Sequence, residues 1–170
     1  NFGYKFKRVD LENQPIINAL ASNVVSTARG TTIQENGAQV MTIEHLCAAL
    51  FGMDIDNALI EISGPEIPIL DGSSKPFIEK IEEVGTLEQE ATSEYYEIKE
   101  IIVYSDKDGI QVSIYPDNEF SVDVHIDYNS KVLGFQYASI KNISQFKDEI
   151  ASCKTFVFLH ELEFLAKNNL

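Results

Sequence analysis

The chain has 170 residues, 44% of them hydrophobic, enough to bury one ordinary core or two small ones. Its 13 lysines and arginines face 27 aspartates and glutamates, a formal net charge of −14. That balance lacks the cationic footprint that nucleic acid or an anionic membrane surface requires, yet leaves room for one anionic small molecule held by local donors.

In chain order, short strands are expected at Tyr4 to Val9, Asn23 to Thr27 and Thr31 to Gln34, punctuated by the turn formers Pro15, Gly30 and Gly37. Ile43, Leu46, Cys47, Leu50 and Phe51 fall at helical spacing and predict a helix from Ile43 to Phe51, with Thr42 as its cap and Gly52 as its stop. A buried strand follows at Asn57 to Ile62. The loop Ser63 to Gly72 then leads into a second helix, Lys75 to Val84, closed by Gly85. Between Glu79 and Glu100 stand eight glutamates and two lysines, and 85–93 has little apolar content. Such a run marks a domain boundary.

Beyond it the period becomes two. Strands are expected at Tyr96 to Tyr104, Ile110 to Tyr115 and Phe120 to Tyr128, with Asp108-Gly109 turning the first into the second. Helices are expected near Ser144 to Ile150 and over 156–170. The class is α+β: two similar sheet-plus-helix domains in tandem, 1–88 and 95–170, joined by an acidic linker at 89–94. Asn1 is not an initiator methionine and the last helix ends without a stop signal, so both ends read as cut and both domains as incomplete. No run is long and apolar enough for a transmembrane segment, and no leader is evident. Cys47 and Cys153 match no CxxC spacing and sit in apolar helical patterns. Two buried free thiols in a reducing cytoplasm are expected.

Glu44 and His45 carry the clearest chemistry. They occupy the first turn of the Ile43 helix, off its apolar stripe, beside the small residues Ala48, Ala49 and Gly52. A helix N-terminus favours ionised Glu44 and neutral His45, the form that binds zinc, and a carboxylate beside a metal-bound water is a common general base. The plain alternative is a dipole-complementing glutamate beside an ordinary surface histidine; two residues do not make a site that needs three protein ligands. Asp123, His125 and Asp127 share one strand face, either a metal-holding row or a solvated surface. Asp71, Ser73 or Ser74 caps the second helix, with Pro76 in its first turn. G-x-S-x-G and phosphate-loop patterns are absent. Cys153 and His160 are near in sequence, which by itself makes no catalytic pair.

The run Met41-Thr42-Ile43-Glu44-His45-Leu46-Cys47-Ala48-Ala49-Leu50 continues through Asp56-Asn57-Ala58-Leu59-Ile60-Glu61-Ile62 and Gly64-Pro65-Glu66-Ile67-Pro68-Ile69-Leu70-Asp71-Gly72-Ser73. This block resembles the UDP-3-O-acyl-N-acetylglucosamine deacetylases, the zinc enzymes of lipid A synthesis. Phe120 to Asn129 and Lys154 to Leu165 resemble the family's second domain. The resemblance implies His45 as a zinc ligand and Glu44 as general base on the zinc-bound water. It implies Thr155 as a donor to the tetrahedral oxyanion, Phe156 against the glucosamine ring and Phe158 near the acyl-chain passage. Asp127 and Tyr128 would lie near the uridine, Tyr replacing the family Phe while keeping a stacking face. Asp71 matches an aspartate near the active site, although capping alone would explain it.

The family's remaining ligands come from an H-x-x-x-D motif. His45, His125 and His160 are the only histidines here; Asn129 follows His125 four places on, and Phe164 follows His160. The expectation is a zinc deacetylase whose metal site this chain does not complete, so that the chain alone is inactive. A binding or scaffold module of the same fold, without catalysis, is the rival reading. Reading the gene past Leu170 for H-x-x-x-D separates them.

Overall fold

The computed structural model describes residues 2–167, apart from the side chains of residues 160 and 163–165. The elements are β1 (Tyr4–Arg8), β2 (Ile16–Asn18), β3 (Val24–Ser26), β4 (Thr32–Glu35), β5 (Ala38–Val40), α1 (Glu44–Gly52), β6 (Ala58–Ile62), α2 (Lys75–Val84), β7 (Ile102–Ser105), β8 (Gln111–Ile114), β9 (Val122–Asp127), β10 (Phe135–Ile140) and α3 (Leu162–Lys167). The fold is α+β, as expected. Phe2–Leu87 together with the segment from Lys147 onward forms one compact unit, and Glu88–Phe146 forms another. The break falls at the Glu-rich stretch, and the last segment groups with the first unit.

In the first unit, β1 is the central strand of a three-stranded sheet ordered β2-β1-β6. It runs antiparallel to β2, with Phe6 opposite Ile17, and parallel to β6, with Phe6 opposite Ile60. A second sheet, β3-β4-β5, is antiparallel, with Ile33 opposite both Val24 and Val40. Asn36 and Gly37 turn β4 into β5 with φ of 52° and 75°, the left-handed pair a tight hairpin requires. Phe6, Ile17, Ile33, Ala38, Val40, Ile43 and Ile67 form the buried core, and Leu46, Cys47 and Phe77 pack on it from the two helices. Burial of such side chains is the main force assembling this unit. Arg8 is buried too. Its guanidinium grips both Asp10 carboxylate oxygens at 2.9 and 2.7 Å and donates to the Gln39 carbonyl at 2.8 Å, so its charge is paired rather than stranded.

Several local expectations are corrected. Thr42 does not cap α1; it takes φ of 59° and its hydroxyl donates to Glu66 at 2.7 Å. A left-handed β-branched residue is unusual. Here Met41 bonds to Pro65 and Ile67 through its amide and carbonyl, and on the other side the Ile43 amide donates to the Thr31 carbonyl, so the backbone is held on both sides. β6 is not a buried strand: its residues alternate between half-buried and exposed, because only one face meets the core. Cys47 is half-buried but Cys153 is exposed, so the expectation of two buried thiols fails at Cys153. Helix α2 spans the predicted residues. Gly85 follows at φ of 78° and its amide closes on the Ile81 carbonyl.

In the second unit, β7 pairs with β8 and β9 with β10, both antiparallel. Asp108-Gly109 turns the first hairpin, with Gly109 at φ of 88° and the Asp106 carboxylate accepting the amides of Asp108 and Ile110. The strand expected from Tyr96 begins only at Ile102, and β10 is a strand the sequence reading omitted. In place of one helix at Ser144 to Ile150, a 3-10 turn (Ile143–Gln145) runs into a π turn (Phe146–Ile150). The last helix is shorter than expected, and its predicted end at 168–170 lies outside the described residues. No helix among the described residues is long and apolar enough to cross a membrane.

Candidate active site

Glu44 opens α1, and its side chain turns back over the preceding loop. Its Oε2 accepts the Thr31 amide at 2.9 Å. Thr31 uses its other backbone group on the same helix start: its carbonyl accepts the Ile43 amide at 3.4 Å. Gly30 makes this approach feasible. A Cβ at position 30 would sit 3.2 Å from Glu44 Oε1. The carboxylate charge is also felt one turn on, where burial, and after it Glu44, pushes the Cys47 thiol up to about 11.

His45 is half-buried on the next position of α1. Its carbonyl accepts the hydroxyl of buried Ser74 at 2.9 Å, which ties the first turn of α1 to the start of α2. Ser74 belongs to a loop that organises the rest of the site. Asp71 Oδ1 accepts the amide and hydroxyl of Ser73 at 3.0 and 2.7 Å, and the Ser73 hydroxyl in turn accepts the Lys75 amide at 3.3 Å. Ser73 thus faces the first turn of α2, with Asp71 behind it. The Ser73 hydroxyl first, then Lys154, whose Nζ lies 3.2 Å from Oδ2, holds the Asp71 carboxyl below its ordinary value of 3.8.

The same loop captures residues 151–155. The Lys75 amide donates to the Ala151 carbonyl at 2.9 Å, and the Thr155 amide to the Gly72 carbonyl at 2.8 Å. Gly72 is at φ of 83°, and a Cβ there would meet the Thr155 methyl at 3.3 Å. Glu44, His45, Asp71 and Thr155, scattered in sequence, therefore belong to one unit, with the loop 71–75 bonded to both His45 and Thr155. Next along, Phe156 and Phe158 pack edge to face with ring centroids 5.4 Å apart. Phe156 is exposed and Phe158 half-buried, an aromatic pair offering one open ring.

Asp127 and Tyr128 lie in the other unit, at the end of β9. Asp127 Oδ1 accepts the Asn129 amide at 2.9 Å, and the Tyr128 amide donates to the Gly134 carbonyl at 3.1 Å. The strand face they border is engaged within its own sheet. Asp123 accepts from Tyr137 and Lys141 at 2.7 and 3.0 Å, and the His125 ring lies 4.7 Å from the Tyr137 ring. The hydroxyls of Ser139 and Tyr137, with Lys141, hold the Asp123 carboxyl well below the usual carboxylate range. Pairing with His160 is not described, since the His160 side chain lies outside the described residues. Among the described residues no three His, Cys, Asp or Glu side chains converge. A catalytic zinc takes three protein ligands, so the residues described here do not by themselves hold one.

All of residues 1–170 match the family described as UDP-3-O-acyl N-acetylglycosamine deacetylase, LpxC. The chain belongs to this family. It is 49% identical over 169 residues to the bifunctional enzyme LpxC/FabZ of Porphyromonas gingivalis, covering 99% of this chain and 37% of that protein. It is 46% identical to the bifunctional enzyme LpxC/FabZ of Bacteroides thetaiotaomicron, covering all of this chain and 37% of that one. It is 41% identical to the UDP-3-O-acyl-N-acetylglucosamine deacetylase of Syntrophotalea carbinolica, covering 99% of this chain and 54% of that one. The chain thus spans between a third and just over half the length of these relatives.

Within this LpxC chain, nothing in the sequence pattern marked Thr31, Gly30 or Gly72 as residues that hold the candidate groups. Thr31, Gly30 and Gly72 act through backbone groups, or through the absence of a side chain. Periodicity and charge are what a sequence pattern reveals, and these three residues have neither.

Proposed function

We propose that the full-length protein hydrolyses the N-acetyl group of UDP-3-O-acyl-N-acetylglucosamine in the cytoplasm, an early step of lipid A synthesis. One observation carries this beyond the family match: a helix-start carboxylate fixed on a backbone amide, and a threonine fixed through the loop that also grips His45. With Oε2 occupied by Thr31, Glu44 takes the proton of the attacking water. The Thr155 hydroxyl donates to the oxyanion that develops on the acetyl carbon. Phe156 lies against the sugar ring, Phe158 against the acyl chain, and Asp127 with Tyr128 against the uridine. Asp71 supports the site by holding Ser73 and Lys154.

A zinc ion, which the resemblance implies, would take His45 as its ligand from this chain and the others from elsewhere in the protein; the chain alone would then release no acetate. The domains 1–88 and 95–170, joined at 89–94, would be completed by sequence outside the chain.

The test is acetate release by the full-length protein. Glu44→Gln should lower kcat by about a thousandfold and Thr155→Val by roughly a hundredfold, with His45→Ala inactive. Wild-type turnover in Glu44→Gln would falsify the assignment of the base. If the full-length protein binds the UDP-sugar without releasing acetate, the binding-module reading wins.

A further inference from the structure

We propose that Arg29 and Glu161 form a latch joining the loop that fixes Glu44 to the aromatic segment after Thr155, which makes Arg29 a positioning residue. The inference rests on the functional reading above and adds a residue to it.

Arg29, Gly30 and Thr31 are consecutive, and each makes a different connection. Thr31 donates its amide to Glu44. Gly30 leaves the space that Glu44 Oε1 occupies. Arg29, at φ of 59°, sends Nη1 to Glu161 Oε1 at 2.9 Å. Glu161 spends its second oxygen on the same segment as the aromatic pair: Oε2 accepts the Phe158 amide at 2.9 Å. One carboxylate therefore bridges the Arg29 guanidinium and the backbone between the two phenylalanines and the last helix. A displacement of Phe158 is passed through Glu161 to the loop that holds Glu44. The ion pair is solvent-accessible, with side chains 41% and 30% exposed, so it adds little to folding stability. Geometry, rather than stability, is what such a pair can control. Both partners belong to the same compact unit.

The experiment uses the full-length protein with Arg29→Met, Glu161→Gln, the double variant, and the charge swap Arg29→Glu with Glu161→Arg. Three readouts are taken: steady-state acetate release, the thermal midpoint, and amide hydrogen exchange of the segment 156–161. Each single variant should lower kcat/KM about tenfold and speed exchange at the Phe158 amide, while the thermal midpoint stays within about 2 °C. The double variant should be no worse than either single one, and the charge swap should recover most of the loss. Additive losses, an unrecovered charge swap, or Phe158 exchange unchanged in Arg29→Met would overturn the latch. Should the wild-type protein release no acetate, the deacetylase reading falls, and the exchange rate of Phe158 still decides whether Arg29 holds this segment.

Discussion

Thr155 is pinned to Gly72: its amide donates to the Gly72 carbonyl at 2.8 Å, and its methyl lies 3.3 Å from where a side chain at position 72 would begin. Two demands meet at this glycine, a left-handed backbone at φ of 83° and a close neighbour. Gly72→Ala should cost at least about 1 kcal/mol from the backbone alone, and it should push Thr155 out of register. Denaturant unfolding and acetate release are the measurements. An unchanged midpoint with unchanged turnover would show that Thr155 does not depend on this contact.

Gly30 faces Glu44 in a different way, since only the side-chain oxygen crowds it. Gly30→Ala should leave the fold intact, because a carboxylate can swing by a few tenths of an ångström. It should lower kcat by roughly tenfold, because the misplaced group is the proposed base. Gly64→Ala is the matched control: its Cβ would meet nothing within 4 Å. Equal kinetics for the two variants would remove Gly30 from the account.

Asp71 is depressed below its ordinary value of 3.8 by the Ser73 hydroxyl first and Lys154 after it. A carboxylate with a lowered folded-state pKa stabilises the fold above the unfolded value and loses that contribution as pH falls through the folded one. The contribution of Asp71 should thus be complete above about pH 4 and fade below it. In Ser73→Ala the Asp71 carboxyl should titrate closer to its ordinary value, as followed by carbon NMR of the side chain. An identical titration in the two proteins would mean that the hydroxyl does not set it.

The two thiols should part company. Cys153 is exposed, whereas Cys47 is half-buried and pushed up to about 11 by burial and by Glu44. At pH 8 an alkylating reagent should label Cys153 well before Cys47, because the thiolate is the reactive form. Glu44→Gln should bring Cys47 forward. Peptide mass spectrometry reads both sites, and simultaneous labelling would contradict the difference in environment.

Local pattern made much of the architecture legible. The α2 boundaries followed from a proline in the first turn and Gly85 after the last, and the β7–β8 hairpin from Asp108-Gly109. The missed features have separate causes. Thr42 looked like a cap, but its hydroxyl found Glu66, a partner 24 positions away. β10 went unread because its alternation of Phe135, Tyr137 and Ser139 with Gln136, Ala138 and Ile140 mixes polar and apolar residues on both faces. At the site, Glu44 and His45 stood out because a helix start gives charge a meaning. Thr155 stood out only through the resemblance of its segment, since neither charge nor periodicity marks it. Its place depends on a carbonyl 83 positions earlier in the chain, a pairing that exists only after folding.

A single peptide unit at Thr31 spends its N–H on the Glu44 carboxylate and its carbonyl on the helix start. The next residue begins β4, whose Ile33 is locked between Val24 and Val40 in the core. The orientation of Glu44 is therefore inherited from a sheet rather than set by its own helix. Loosening that sheet, even with a mild Ile33→Val repacking inside the core, would blur the aim of the carboxylate before the fold itself began to melt.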